Sequence, residues 1–240
     1  VAGVNSRCCA NAHLVASYEP LQTLNKMDAV PTELVGATEP KLIYYNARGT
    51  VLKCRLLLAD MDIKYQWTPL DKAEEVISAK ISAPSCTLPI WEDSVTKVSG
   101  SAVILEYLGA NLGKYSASQQ VQAAARALVL YCESLLDSIW KEAEVVAAFL
   151  ATDPDMTRSE SISTYRQNRI LPGLTILTRD MLSLKSLSAE PLYSDYALLE
   201  VLYYANAEYP ELVDQFSPLR ELFQRYFARP GIRKLIDSLV

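Results

Sequence analysis

Short apolar runs alternate with helical periods in the first half of the chain. A β-favouring run at 41–46 precedes a helix predicted to start at Thr50, and a second strand follows at 63–67. A hairpin at 88–98 then leads into a helix opened by Ser99, Gly100 and Ser101. Two strands joined through a helix form a right-handed parallel unit, whereas the two strands of a hairpin are antiparallel. The pattern therefore predicts a mixed sheet with helices on its faces, in the order β-α-β-α-β-β-α.

The second half of the chain carries helical periods only. A polar break at 113–118 ends the sheet domain, and Ser116 with Gln119 is expected to form a capping box for the next helix. Apolar residues then recur at helical spacing over 119–149, 161–184, 194–206 and 218–240, with a kink expected at Pro172 and Gly173. The sequence predicts one domain at 41–114 and an all-helical domain at 119–240.

Residues 1–40 carry no sustained period and are expected to form an irregular extension outside the fold. With Arg7 and Lys26 as its only basic residues, this stretch is a poor transit peptide. Two readings of the adjacent Cys8 and Cys9 stay open: lipidated or redox-active cysteines, or plain thiols in a flexible tail.

Composition narrows the classes of function. A net charge of −5 supplies no basic field for nucleic acid, and no apolar run approaches the roughly 20 residues of a membrane span. The single histidine, His13, leaves no material for Ser-His-Asp or Cys-His catalysis, so no metal site is predicted. Five cysteines, an odd number, favour a reducing compartment, and a cytoplasmic location is expected.

The pair Leu88 and Pro89 is the pivot of the first domain. Proline cannot donate to a sheet, so Pro89 must lie at a strand start or edge, where unpaired backbone can meet a ligand. The free amides at the helix start near Ser101 attract a carboxylate. An extended, acidic peptide fits this combination.

From residue 41 to 240 the chain resembles the cytosolic glutathione transferases, most closely the sigma and mu types with a catalytic tyrosine. The resemblance is carried by the run KLIYYN, the Leu88-Pro89 pair, and a closing segment in which Pro230, Gly231 and Ile232 begin the last helix. It implies a thioredoxin-like domain with a cis bond before Pro89, followed by an all-helical domain.

The resemblance also implies roles for individual residues. Tyr44 stands where the family carries its catalytic tyrosine, whose hydroxyl stabilises the glutathione thiolate. Ser101 corresponds to the serine that holds the γ-glutamyl carboxylate, and Lys80 to a lysine that meets the glycyl carboxylate. The remaining residues assigned to the glutathione site are Leu88, Pro89 and Gly100. Each residue also has a plain alternative, since a tyrosine in a strand usually packs and an exposed lysine is usually only solvated.

Several positions depart from the family pattern. Thr50, Val76 and Gly100 replace an arginine, an aromatic residue and a glutamine that contact glutathione in the family. Cys86 and Thr87 replace the usual residues before Leu-Pro; Cys86 is either a site for a mixed disulfide with glutathione or a plain loop thiol. Sigma-type dimers carry an acidic residue that reaches across to the partner subunit. This acid is expected to be absent here, where apolar or basic residues around Arg126 and Leu130 replace it. In the buried capping box of the helical domain, Leu192 replaces a serine or threonine while Asp195 is kept.

Two functions follow. The first is a homodimeric detoxifying glutathione transferase, with glutathione as cosubstrate, in which a small electrophile binds between the two domains. A prostaglandin isomerase is a narrower variant of this first function. The second is a non-catalytic relative, a structural or interaction protein with a degraded glutathione site.

Overall fold

The structure, a computed structural model, describes residues 39–46, 49–153, 155–188 and 190–239. Nearly all of the expected extension at 1–40, including Cys8, Cys9 and His13, lies outside these ranges. The elements are β1 Lys41–Tyr45, α1 Leu52–Asp60, β2 Gln66–Leu70, α2 Ala73–Ser82, β3 Ile90–Glu92, β4 Lys97–Ser99, α3 Ser101–Asn111, α4 Gln119–Trp140, α5 Glu142–Thr152, α6 Arg158–Tyr165, α7 Leu171–Leu187, α8 Tyr193–Glu208, α9 Pro210–Val213, α10 Ser217–Phe227 and α11 Pro230–Asp237.

The four strands form one mixed sheet in the order β2-β1-β3-β4. β1 pairs in parallel with β2 and antiparallel with β3, and β3 pairs antiparallel with β4. This confirms the predicted topology. The second strand begins at Gln66 rather than at Ile63, so Pro69 lies within it, opposite Tyr44. A proline is tolerated there because β2 is an edge strand.

Helix α1 is the central helix of the sheet region. It begins at Leu52, two residues later than predicted, after a turn at 50–51. It packs against α3, α8 and α11, so it is buried on almost every side. Its buried residues are Leu52, Lys53, Cys54, Leu56, Leu57 and Leu58. A lysine is therefore enclosed where α1 meets the later helices.

The hairpin between β3 and β4 is fixed by one carboxylate. Asp93 Oδ1 accepts hydrogen bonds from the backbone N–H groups of Val95 (2.9 Å) and Thr96 (2.8 Å). Its Oδ2 accepts from Trp91 Nε1 and from the Tyr107 hydroxyl, both at 2.8 Å. The predicted turn is thereby tied to α3.

The helical region differs from the sequence prediction at three joints. The expected helix over 119–149 is divided into α4 and α5 at Lys141, whose ψ is 0°. Glu142 and Glu144 in the first turn favour a new helix start. The N-cap of α4 is Ser118, which accepts from the N–H of Val121 at 3.5 Å, rather than the predicted Ser116.

The third joint lies before Pro172, where a π-helical turn spans Arg166–Ile170 between α6 and α7. Proline has no N–H to donate back along the helix, and a wider turn accommodates the missing bond. The expected irregularity is present, but upstream of Pro172 and Gly173.

The expected helix at 194–206 is α8, and the segment 218–240 is divided into α10 and α11, the latter beginning at Pro230 as predicted. Leu192 is the N-cap of α8 and makes no side-chain cap bond, as expected from the halved capping box. The Tyr226 hydroxyl instead donates to Asp195 at 2.9 Å, so the buried carboxylate is satisfied from α10. Among the described helices, none is both long and apolar enough to cross a bilayer.

Candidate active site

Tyr44 is the next-to-last residue of β1; its side chain is turned into the protein, and only 7% of the residue is exposed. Its hydroxyl lies against Gly49, where an added Cβ would overlap the hydroxyl and lie 2.8 Å from Cε1 and Cζ of the ring. Burial raises the pKa of Tyr44, and the hydroxyl and N–H of Thr50 oppose this only in part. At neutral pH the side chain is therefore a protonated hydroxyl, able to donate a hydrogen bond.

Tyr45 and Lys80 lie beside Tyr44 on the outer side. The rings of Tyr44 and Tyr45 meet edge to face with centroids 5.0 Å apart. The ammonium of Lys80, in the last turn of α2, lies 5.9 Å from the Tyr45 ring centroid, within cation–π distance. Lys80 is exposed and free to meet a carboxylate.

The bond between Leu88 and Pro89 is cis, as the resemblance implies. Three hydroxyl groups hold the loop before it: Ser85 Oγ lies 2.6 Å from Ser99 Oγ and 2.9 Å from Thr87 Oγ1. Among the described residues, Leu88 takes part in no backbone hydrogen bond outside the regular elements. Its N–H and C=O are thus available to an extended ligand.

The pairing of the strands brings the predicted residues to one edge of the sheet. Ile43 pairs with Ile90, which places Tyr44 next to Pro89 across the ladder. The N–H of Gly100 donates to the Pro89 carbonyl at 2.9 Å, and α3 begins at the next residue, Ser101.

Gly100 has a φ of +91°, in the region that favours glycine, and its amide is committed to Pro89. The predicted contact from Gly100 is therefore limited to the backbone turn that it forms. Ser101 is buried, and its hydroxyl donates to Glu133 Oε1 at 2.7 Å. The expected absence of an inter-subunit acid around Arg126 and Leu130 stays a prediction, but an acid does lie beside Ser101. It comes from α4 of the same chain.

Glu133 belongs to a charged cluster that joins α1, α4 and α8. The ammonium of Lys53 lies 3.2 Å from Glu133 Oε1 and 2.9 Å from Glu200 Oε2. Lys53 is fully buried and Glu200 is 1% exposed. The backbone N–H of Lys53 also donates to Glu200 Oε1 at 3.2 Å. Burial alone would lower the pKa of Lys53, but the two carboxylates raise it above its usual value, so the lysine is charged.

A cleft of about 420 Å³ opens beside the β1–α1 connection, between the sheet region and α8. Its wall includes Gly49, which lies against the Tyr44 hydroxyl, so cleft and hydroxyl are neighbours. The described residues that line it are Asn46, Gly49, Val51, Leu52, Arg55, Trp67, Tyr203, Tyr204, Ser238 and Leu239. In the described part of the chain, no three His, Cys, Asp or Glu side chains come together as a metal site would require.

Known proteins resemble this chain in sequence and in fold. Glutathione S-transferase 2 of Onchocerca volvulus is 25% identical over 208 residues, which cover 82% of this chain and 92% of that protein. S-crystallin SL11 of Nototodarus sloanii is 25% identical over 205 residues, covering 82% and 95%. A solved structure of a monomeric glutathione S-transferase from the hookworm Necator americanus is 17% identical, with a TM-score of 0.67 over 84% of this chain and 97% of that one. No family model matches the chain.

The chain is similar to glutathione S-transferases in sequence and in fold. The likeness confirms the predicted fold, a thioredoxin-like sheet region followed by a helical region. The sigma- or mu-type assignment stays a prediction, as do the binding roles of the site residues.

Two of the positions that depart from the glutathione transferase pattern lie close to these residues. Thr50 lies beside the Tyr44 hydroxyl, where the family arginine is expected. Val76 is half-buried on α2, and Cys86 is an exposed free thiol with a φ of +53°.

Sequence reasoning missed Lys53, Glu133 and Glu200. In the sequence pattern, Glu133 is one of several polar residues on the outer face of an amphipathic helix. The one available signal was Lys53, a lysine in an otherwise apolar helix, because a buried lysine requires an acid from elsewhere in the chain.

Proposed function

We propose that this protein is a glutathione transferase, conjugating the thiolate of glutathione to small electrophiles. One observation carries the proposal: Tyr44, the cis Leu88-Pro89 bond and the start of α3 at Ser101 converge on one edge of the sheet. A hydroxyl donor, unpaired backbone and a helix start are the three parts needed to orient a γ-glutamyl tripeptide and stabilise its sulfur.

The proposed chemistry begins at the sulfur. A free thiol has a pKa of about 8.5, and only its thiolate is a strong nucleophile. The Tyr44 hydroxyl, protonated because burial raises its pKa, donates a hydrogen bond to the sulfur and favours loss of the thiol proton to solvent. The sulfur then attacks an electrophilic carbon, forming a C–S bond as the leaving group departs with the bonding electrons.

The remaining contacts orient the peptide. We assign the γ-glutamyl carboxylate to the start of α3 at Ser101, where the first N–H groups of the helix carry partial positive charge. Lys80 meets the glycyl carboxylate, and the free backbone of Leu88 pairs with the cysteinyl residue. The electrophile occupies the cleft that shares Gly49 with the Tyr44 hydroxyl.

The decisive experiment is the conjugation of a generic aromatic electrophile by wild-type protein and by Tyr44→Phe. Removing one donor aimed at a developing or stabilised anion typically costs a hundredfold or so in turnover, and we expect tens-fold or more here. Tyr45→Phe is the matched control, because Tyr45 points to the other side of the strand. Equal turnover in wild type and Tyr44→Phe would refute the assignment of Tyr44.

A homodimer belongs to the same proposal. Val103 on α3 and Leu130 on α4 are 55% and 62% exposed and border a shallow apolar pocket of about 200 Å³. The ion pair of Arg126 with Glu106 (2.6 Å) lies at its edge. An apolar centre with a charged rim suits a two-fold interface. Detoxification and a cytoplasmic location are likewise parts of this proposal.

The second candidate is a non-catalytic member that kept the fold. The observation in its favour is that the Ser101 hydroxyl already donates to Glu133. Calorimetric titration with glutathione up to about 10 mM distinguishes the two, since a bound ligand releases heat and stabilises the fold. No saturable heat and no thermal stabilisation would favour the non-catalytic protein.

A further inference from the structure

The cleft beside Gly49 contains one charged group. Among the described residues that line it, Arg55 is the only ionisable side chain apart from two tyrosines, and aromatic or aliphatic groups form most of the rest of the wall. Arg55 comes from the middle of α1 and is half-buried. A half-buried cation is stabilised by groups that compensate its charge.

The compensation from the protein itself is incomplete. The guanidinium carbon of Arg55 lies 4.6 Å from the Trp67 ring centroid, and Nε donates to the Tyr65 hydroxyl at 3.2 Å. In the described ranges, the guanidinium of Arg55 has no other hydrogen bond and no carboxylate partner. Its two terminal nitrogens, which are the fork that binds carboxylates, are thus unpaired.

The two contacts that exist also fix the geometry. Stacking on Trp67 sets the plane of the guanidinium, and the bond to Tyr65 holds the Nε edge. The terminal nitrogens are therefore preorganised, so a ligand meets them with little further loss of side-chain entropy. Simple packing of Arg55 would explain the stack but not an unpaired fork at a cavity wall.

The geometry points to an electrophile of a particular class: an aromatic or extended apolar molecule that carries a carboxylate, bound in the cleft with the carboxylate on Arg55. The inference rests on the proposed function and names the substrate class of the same site. Glutathione is itself an anion and would repel an anionic electrophile in the same site, so a site for such an electrophile requires a cation. Arg55 offsets that repulsion, so it acts as a specificity-determining residue.

The test uses a matched pair of electrophiles, chloronitrobenzoate and chloronitrobenzamide with the same ring substitution. The two have nearly the same size, and one carries the charge. Conjugation with glutathione is followed for wild type, Arg55→Met and Arg55→Lys, and each rate is divided by the uncatalysed rate to remove the difference in ring reactivity. We expect the wild-type KM for the acid to be roughly tenfold or more below that for the amide.

Arg55→Met should remove this preference, so that the ratio of the two KM values approaches one, because only the acid makes an ion pair with Arg55. Arg55→Lys should keep part of it, since a lysine keeps the charge but not the fork. A change in folding alone would alter both electrophiles equally. Should Arg55→Met fail to fold, added salt on wild type serves instead, and must raise the KM of the acid selectively.

Equal KM values for acid and amide in wild type would overturn the inference while leaving the transferase intact. A preference that survives Arg55→Met would also overturn it. Failure of wild type to conjugate either electrophile would instead refute the proposed function itself.

Discussion

Replacing Lys53 by methionine tests the buried charge cluster. Methionine keeps most of the length of the side chain and removes only the ammonium. Glu200, 1% exposed, then loses its cation and keeps one hydrogen bond, from the backbone N–H of residue 53. Glu133 is less affected, because 29% of its side chain is exposed and water can solvate it.

The expected loss follows from what Glu200 can do. Breaking a buried ion pair costs about 3 to 5 kcal/mol when the remaining charge stays buried. Burial already raises the pKa of Glu200, against the opposing effect of Lys53, so in the variant Glu200 takes up a proton instead. From a usual pKa of about 4.3, at about 1.36 kcal/mol per pH unit, protonation at pH 7 costs about 4 kcal/mol. That sets the ceiling, and we expect about 3 to 4 kcal/mol.

The sign of the pH dependence is fixed by the same argument. A carboxyl whose folded-state pKa is raised above its unfolded value stabilises the fold less as pH rises between the two values. Relative to wild type, Lys53→Met should therefore lose about 2.7 kcal/mol more at pH 7 than at pH 5. Urea unfolding at both pH values, followed by tryptophan fluorescence, measures the difference.

A double variant supplies the control. Lys53→Met with Glu200→Gln keeps an oxygen for the backbone N–H of residue 53 and leaves no buried charge. Replacing both members of a buried pair is often nearly neutral, so stability should recover to within about 1 to 2 kcal/mol of wild type, without the extra pH dependence. A single variant that loses less than 1 kcal/mol, or whose loss is the same at both pH values, would refute the account.

Three further outcomes are expected. Burial opposes the shift, but hydrogen bonds lower the pKa of Asp93. Its carboxylate therefore stabilises the fold at pH values above its unfolded pKa near 3.9, and this stabilisation is lost as the pH falls further. Asp93→Asn should lower the free energy of unfolding in urea by about 2 kcal/mol at pH 7, and by less below pH 4. Ser101→Ala should weaken glutathione binding in calorimetry more than Lys80→Ala, whose exposed ion pair is worth about 1 kcal/mol or less; the reverse order would contradict the carboxylate assignment. Light scattering should report about twice 26.7 kDa, and Val103→Glu should halve it while Leu182→Glu, on another helix, does not; a wild-type monomer at micromolar concentration would contradict the dimer.

The order of the elements could be predicted from the sequence because periodicity records which side of each segment is buried. Pro89 and the apolar run after it marked β3, and the polar break at 113–118 marked the end of α3. The breaks between consecutive helices could not be predicted as well from the sequence. Nothing in the periodicity of α4 and α5 stops at Lys141, since apolar spacing continues across it. The π-helical turn before Pro172 is a local response of the backbone that has no signature in apolar spacing.

Individual candidate residues could be placed on the fold from the residues around them. Tyr44 lies near the end of a strand and Ser101 begins a helix, and both positions follow from the local sequence pattern. The Lys53 cluster could not be assembled in this way, because its members are 80 and 147 residues away from Lys53 along the chain. Pairing them requires knowing that α4 and α8 meet over α1.

The cluster also bears on the choice between enzyme and non-catalytic protein. A hydroxyl has a single proton to donate, and that of Ser101 is directed to Glu133. A ligand carboxylate at the start of α3 can accept this hydrogen bond only if Glu133 loses it. A half-buried carboxylate such as that of Glu133 is costly to leave without a donor. Lys53, 3.2 Å from the same oxygen, remains as that donor, so the hydroxyl can turn to the ligand without isolating Glu133. The buried lysine thereby makes an internal acid beside Ser101 compatible with the glutathione binding that we propose.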